Sequence, residues 1–194
     1  MNNQTTDQLL MIRPIRFYTN EQTATNNYFQ QQTQEDQVMT TVKAQQEFDD
    51  FVSELRFHGV VVHVWQDLIE PNTPDALFPN NWISFHKPKT IVTYPMYAVN
   101  RQMEVSKAPI EFLESKGFLF SNQIDFTSFI SSNLYLEGTG SMVLDRVNQI
   151  AYCARSDRTN PILIDKFCQK MGYRAVVFSS FQSVKRKRQL IYHT

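Results

Sequence analysis

Three residues with different polar chemistry, Asn81, Glu137 and His193, recur at the same place in a repeated strand–polar–strand pattern, 56 residues apart (137 − 81 and 193 − 137). The amide donates and accepts hydrogen bonds, the carboxylate accepts them, and the imidazole titrates near neutral pH. Such groups suit the binding of a polar ligand. Because repeated modules deliver them to equivalent positions, we predict that they share one site.

Each residue also has a structural interpretation. Asn80 and Asn81 lie between apolar residues and are equally typical of an asparagine-capped turn. Glu137 lies in the segment Leu136–Gly140, where two glycines would let a ligand approach closely, although a bulge beside a surface glutamate fits the same pattern. His193 follows an apolar run, and a lone histidine on a strand is usually structural.

Three arginines, Arg13, Arg101 and Arg158, are candidates for binding a substrate carboxylate through a bidentate guanidinium. Surface arginines are common, so each also fits a solvent-exposed role. Cys153 is predicted in a strand and Cys168 on the apolar face of a helix, where both are expected to be buried, inert thiols.

Three of the five glycines, Gly59, Gly117 and Gly172, indicate where the helices and strands that position these residues begin and end. Each closes a helical pattern and precedes an apolar run, as expected of a residue that adopts the left-handed conformation after a helix. Helices are predicted at 43–58, 109–116 and from a cap at Thr159 with Pro161 in the first turn. Strands are predicted at 9–12, 60–65, 83–85, 90–94, 118–120, 134–140, 141–144, 150–154, 174–178 and 190–193.

Bulk composition argues against several classes of protein. Nineteen basic and nineteen acidic residues cancel, which argues against a nucleic-acid partner, and the basic run at 185–188 stands alone. No apolar run is long enough for a membrane span. Two cysteines and histidines without ligand spacing favour a reducing cytoplasm and predict neither metal nor cofactor.

Motifs spread along the whole chain resemble those of the guanidino-group-modifying, or pentein, superfamily, and most of all its arginine-deiminase-related, amidinotransferase-like citrulline hydrolases of bacteria. The segments that carry the resemblance are Met11–Pro14, Asn20–Ala24, Asn26–Asn27, Asp75–Trp82, Leu136–Gly140, Ser156–Thr159 and Tyr192–Thr194.

The resemblance implies a five-bladed α/β propeller of ββαβ modules with a central active site. It implies that His193 transfers protons and that Glu137 holds substrate nitrogens, although Gly140 departs from the aspartate of arginine deiminases. Asn81 stands where guanidine-specific relatives carry aspartate. Because a neutral amide suits a neutral ureido oxygen better than a cationic guanidinium, Asn81 favours citrulline over arginine.

The family nucleophile, a cysteine near the C-terminus, has no counterpart here. We therefore expect residues 1–194 to form a single pentein-like domain that is truncated at about three of five modules. The expected function is hydrolysis of a C–N bond in citrulline or a related amino acid. The alternatives are a non-catalytic truncated product or pseudoenzyme, or an amidinotransferase, and self-association stays open.

Overall fold

Short strands alternate with helices in a computed structural model that describes residues 4–24, 36–184 and 187–190. The helices are α1 (Glu21–Ala24), α2 (Gln37–Phe57), α3 (Val99–Gln102), α4 (Ala108–Ser115), α5 (Gly138–Ser141) and α6 (Pro161–Met171), with 3-10 turns at Pro79–Asn81 and Thr127–Ser132. The strands are β1 (Gln8–Arg13), β2 (Val61–Gln66), β3 (Ile83–His86), β4 (Thr90–Thr93), β5 (Asn122–Asp125), β6 (Met142–Asp145), β7 (Ile150–Ala154), β8 (Arg174–Phe178), β9 (Phe181–Val184) and β10 (Lys187–Leu190).

One connection pattern occurs twice. Strands β3 and β4 form an antiparallel hairpin, and after α4 the chain adds β5 parallel to β4. Strands β6, β7 and β8 repeat this order around α6. In addition, β1 pairs with β2 in parallel and β9 with β10 antiparallel. The predicted mixed α/β class is confirmed, and both predicted hairpins are present.

Three glycines end helices as predicted. Gly59, Gly117 and Gly172 have φ angles of 84°, 92° and 73°, a left-handed conformation that glycine adopts without a steric penalty. At Gly172 the backbone N–H donates to the carbonyl of Cys168, which satisfies one carbonyl at the end of α6. The chain can therefore turn directly from each helix into the following segment.

Several local predictions are wrong. Residues 118–120 are not a strand: the Phe118 N–H caps α4 through the carbonyl of Leu113, and the strand follows at β5. Asn160, not Thr159, caps α6, since its side chain accepts a hydrogen bond from the N–H of Ile162. Helix α2 begins six residues before the predicted start (43 − 37), because its first turns carry exposed apolar residues that leave no one-sided pattern.

Contacts group the chain into two compact units. One contains Asn80–Tyr97 and the chain from Phe120 onward, with Gln4; the other contains Thr5–Pro79 and Ala98–Leu119. In the first unit, α6, strands β4, β6 and β7 and the segments beside them supply a core of buried side chains: Val92, Tyr94, Phe126, Leu136, Met142, Ala151, Cys153, Leu163, Ile164, Phe167 and Cys168. The second unit has a smaller core around Phe48, Val52 and Val62. A single domain stays a prediction.

Candidate functional site

Glu137 is buried in the first unit, with 1% of its surface exposed. The predicted strand here is wrong: Glu137 is the extended residue that precedes the four-residue helix α5, and only Leu136 forms an isolated bridge. Its Oε1 accepts a hydrogen bond of 3.0 Å from the backbone N–H of Tyr97. In the part of the chain that the structure describes, its Oε2 accepts no hydrogen bond. One face of this buried carboxylate is therefore held, and the other retains its acceptor capacity.

Two glycines let the neighbouring segment pack tightly against Glu137. A Cβ on Gly138 would overlap the backbone oxygen of Asn80, and one on Gly140 would overlap Nδ2 of Asn81 and lie 3.2 Å from Glu137 Oε2. Because backbone atoms cannot move away cheaply, position 138 requires glycine. The amide of Asn81 and the carboxylate of Glu137 therefore both lie against Gly140.

The two asparagines occupy the end of the 3-10 turn Pro79–Asn81. Asn80 is tied to α5 in both directions, since its Nδ2 donates to the hydroxyl of Thr139, which in turn donates to the carbonyl of Asn80 at 3.3 Å. Asn81 is 7% exposed. The asparagine turn is thus real, and the same turn brings Asn81 to Glu137.

Arg158 lies beside the carboxylate and is 2% exposed. Its Nη1 is 3.7 Å from Glu137 Oε2, which is close enough for electrostatic attraction but too long for a hydrogen bond. Its backbone carbonyl accepts from the N–H of Glu137 at 3.2 Å and from the hydroxyl of Ser141 at 2.8 Å. The structure therefore brings together Asn80, Asn81, Glu137 and Arg158.

The other two predicted arginines belong to the second unit, where each faces a carboxylate. Arg13 makes two hydrogen bonds of 2.8 Å to Asp49, and these hold the pKa of Asp49 below its usual value. Arg101 makes two of 2.9 Å to Glu104 and one of 3.1 Å to the carbonyl of Phe78. Substrate binding by Arg13 and Arg101 stays a prediction.

Neither cysteine has the properties of a nucleophile. Cys153 and Cys168 are free and buried, as predicted. Burial, with the nearby Cys168 thiol, raises the pKa of Cys153 to about 12. Burial, with the charge of Asp165, raises the pKa of Cys168 to about 11. Because the thiolate is the reactive form, both thiols are inert at neutral pH.

His193 and the Asn26–Asn27 motif lie outside the described residues. Sequence reasoning missed the groups that hold Glu137 in place, above all the Tyr97 N–H and the Ser141 hydroxyl. A backbone donor has no residue signature, so no sequence signal could have identified Tyr97. Within the described ranges, no three His, Cys, Asp or Glu side chains are grouped to hold a metal ion, and no helix is long and apolar enough to cross a membrane.

Together these groups can recognise a small ligand that carries both N–H donors and a carbonyl oxygen. Glu137 Oε2 would accept from the N–H groups, and the amide of Asn81 can donate to an oxygen. A buried guanidinium beside them supplies positive charge without a proton to lose.

Solved structures with this fold are known. The N-terminal domain of ArgZ, an arginine dihydrolase from cyanobacteria, is 14% identical with a TM-score of 0.62 over 92% of this chain and 59% of that chain. DDAH from Pseudomonas aeruginosa in complex with citrulline is 14% identical, with a TM-score of 0.58 over 88% and 60%. Unliganded AgrE is 16% identical, with a TM-score of 0.62 over 93% and 24%. The chain thus spans about three-fifths of the first two structures.

Comparison of sequences alone gives one informative match. No curated protein is significantly similar in sequence. The family model described as "N,N dimethylarginine dimethylhydrolase, eukaryotic" matches residues 13–194, which is nearly the whole chain. The chain therefore belongs to the N,N-dimethylarginine dimethylhydrolase family, within the pentein superfamily that its sequence motifs resemble.

Proposed function

We propose that this chain is the substrate-binding part of a hydrolase that cleaves a C–N bond in the ureido or guanidino group of citrulline or a related amino acid. Glu137 and Asn81 bind the reacting group, Asn80 and Arg158 complete the binding site, and His193 is the general acid and base. The observation that carries the proposal is the buried Glu137 Oε2, which accepts no hydrogen bond from the described residues.

A buried acceptor without a donor costs about 1–3 kcal/mol, and more when it is charged. The described residues leave that cost in place, because the Arg158 guanidinium is 3.7 Å away. A ureido or guanidino group carries N–H donors that would satisfy the oxygen. Substrate binding would therefore relieve a cost that is built into the folded site.

The charge of the site favours the neutral ureido group. Glu137 and Arg158 have opposite charges and form a buried ion pair, while Asn80 and Asn81 are uncharged. The net charge of these four side chains is therefore zero. A guanidinium cation would have to compete with Arg158 for the one carboxylate. Citrulline adds no charge and offers an oxygen to the amide of Asn81.

A second candidate substrate, dimethylarginine, is supported by the family match. The family model is that of dimethylarginine hydrolases, which favours an N,N-dimethylated arginine over citrulline. This candidate predicts release of dimethylamine, whereas the first predicts release of ammonia. The two are separated by their products.

The covalent step requires a nucleophile that the two buried thiols do not provide. We infer a Cys–His–acid mechanism in which the cysteine lies on sequence outside these 194 residues. The ββαβ connection, which occurs twice in the described residues, supports a propeller of such modules. Five modules, of which this chain would carry about three, is the number that the family resemblance implies. The two free cysteines support a reducing, cytoplasmic location, which fractionation of cells would test.

Product analysis of the native protein tests the proposal. We expect ammonia release from citrulline to exceed that from arginine, with little dimethylamine from dimethylarginine. Faster release from arginine would refute the argument from Asn81, and dimethylamine as the main product would establish the second candidate. Binding of citrulline without turnover would identify a pseudoenzyme of the same family.

A further inference from the structure

The hydroxyl of Ser141 uses its entire hydrogen-bonding capacity beneath the candidate site. It accepts hydrogen bonds from the N–H of Glu137 at 2.9 Å and from the hydroxyl of Thr159 at 2.7 Å. It donates one to the carbonyl of Arg158 at 2.8 Å. A hydroxyl has one proton and two lone pairs, so nothing is left over. Ser141 and Thr159 are both essentially inaccessible to solvent.

These bonds fix the direction of a short relay. Because the Thr159 proton points to Ser141, Thr159 must accept from Ser156, whose hydroxyl lies 3.2 Å away. The oxygen of Ser156 in turn accepts from the N–H of Arg158 at 3.2 Å. The relay therefore begins and ends on the backbone of Arg158, and the N–H of Glu137 donates into it at the hydroxyl of Ser141.

We propose that Ser141 and Thr159 are positioning residues, and that their hydroxyl relay sets the separation between the Glu137 carboxylate and the Arg158 guanidinium. The two backbones are tied through the relay and through the bond of 3.2 Å from Glu137 N–H to the Arg158 carbonyl. The side chains are thereby held 3.7 Å apart, attracted but not hydrogen-bonded. A shorter separation would let Arg158 occupy Glu137 Oε2, which the substrate must reach. This role rests on the proposed function of Glu137.

Two variants of one position separate the hydroxyl from the volume it fills. Thr159→Val removes the hydroxyl at nearly constant shape, and Thr159→Ser keeps it. In the native protein we expect the Glu137 amide to exchange its hydrogen about 10-fold faster in Thr159→Val, and within about twofold of wild type in Thr159→Ser. Ser141→Ala should behave like Thr159→Val. Ser131→Ala, which removes an exposed hydroxyl bonded to the carbonyl of Ser128, is the matched control.

Citrulline affinity supplies the second readout. Thr159→Val should weaken binding about 10-fold in the wild-type background but less than about twofold when Glu137→Gln is also present, because the relay acts through that carboxylate. Additive losses in the double variant would overturn the positioning role, as would equal amide exchange in Thr159→Val and Thr159→Ser. Faster exchange in Thr159→Val with no citrulline affinity in the wild type would contradict the proposed function while supporting the relay.

Discussion

Two buried arginine–glutamate pairs, one in each compact unit, differ in how completely they are satisfied. Arg101 and Glu104 form two hydrogen bonds of 2.9 Å, and Arg101 also donates to the carbonyl of Phe78. Arg158 and Glu137 are 3.7 Å apart, and the closest carboxylate oxygen accepts no hydrogen bond from the described residues. Both carboxylates are nearly inaccessible, so burial alone does not explain the difference.

Under the proposed function, Arg101 and Glu104 form a pair that stabilises the fold, whereas Glu137 and Arg158 form one that is arranged for a ligand. A buried pair offsets its desolvation only when geometry and additional hydrogen bonds are good. Arg101 and Glu104 meet that condition. Glu137 does not, and its unused oxygen lies against Gly140 and near the amide of Asn81. We therefore expect changes in the first pair to affect stability, and changes in the second to affect binding.

Loss of Glu104 should have the largest effect. Glu104→Ala leaves the buried guanidinium of Arg101 without its bidentate partner, and we expect it to lower the free energy of unfolding by about 3–5 kcal/mol. Urea denaturation measures this. Glu111→Ala, at the exposed first turn of α4, is the control and should change stability by less than about 1 kcal/mol. A similarly small effect for Glu104→Ala would show that the Arg101–Glu104 pair does not stabilise the fold.

His86 shows what happens to a buried ionisable group that faces a cation. Its Nδ1 is 3.2 Å from Arg146 and its Nε2 is 2.7 Å from the hydroxyl of Ser84. Burial, then the charge of Arg146, lowers the pKa of His86 from 6.5 to about 4. Since the folded state disfavours the protonated imidazole, the contribution of neutral His86 to the free energy of unfolding is complete above pH 6.5. It is lost as the pH falls toward 4.

The expected loss is about 3 kcal/mol, which follows from the fall of the His86 pKa from 6.5 to about 4. The difference in unfolding free energy between wild type and His86→Gln, followed by urea denaturation from pH 8 to 4, isolates this contribution from other groups. His58→Gln, on the exposed end of α2, is the control. Parallel pH curves for wild type and His86→Gln would contradict the neutral imidazole.

Removal of the charge of Glu137 should affect binding rather than folding. Glutamine in its place still accepts from the Tyr97 N–H, but it loses the charged acceptor, which is worth about 1.5–3 kcal/mol. We expect Glu137→Gln to weaken citrulline binding about 10- to 100-fold in calorimetric titrations, with a small change in melting temperature. A large fall in melting temperature without loss of citrulline affinity would show that this pair, like Arg101 and Glu104, serves stability.

Asn81 should determine which substrate is preferred. Asn81→Asp adds a second carboxylate beside Glu137, which favours a cationic guanidinium over a neutral ureido group. We expect the ratio of citrulline to arginine affinity to fall about 10-fold, equivalent to about 1.4 kcal/mol. Asn81→Ser, which adds no charge, should weaken citrulline without strengthening arginine, because only citrulline has the oxygen to which the amide donates. An unchanged ratio in Asn81→Asp would show that this residue does not select the substrate.

The smallest effect is expected at the exposed pair. The side chains of Arg13 and Asp49 are 27% and 48% exposed, so water and salt screen their attraction. Arg13→Ala should lower stability by less than about 1 kcal/mol, and less in 1 M salt than in 0.1 M salt. A loss as large as that of Glu104→Ala would show that exposure does not separate these ion pairs.

Much of the fold could be predicted from the sequence, because glycine at a helix end and β-branched runs act locally. Gly172 and strand β8 coincide with their predictions. The segment around Glu137 could not be predicted, since α5 is too short to show a helical period and its two glycines also fit a bulge. The partners of Arg101 were hidden for another reason: a bidentate contact depends on side-chain geometry, not on sequence spacing alone.

A crystal structure of the native protein with citrulline would test the central claim most directly. We predict a ureido nitrogen about 2.9 Å from Glu137 Oε2 and the ureido oxygen within hydrogen-bonding distance of the Asn81 amide. Arg158 should keep its separation from Glu137. Citrulline bound with its ureido group away from Glu137, or Arg158 hydrogen-bonded to Oε2 in its place, would contradict the account.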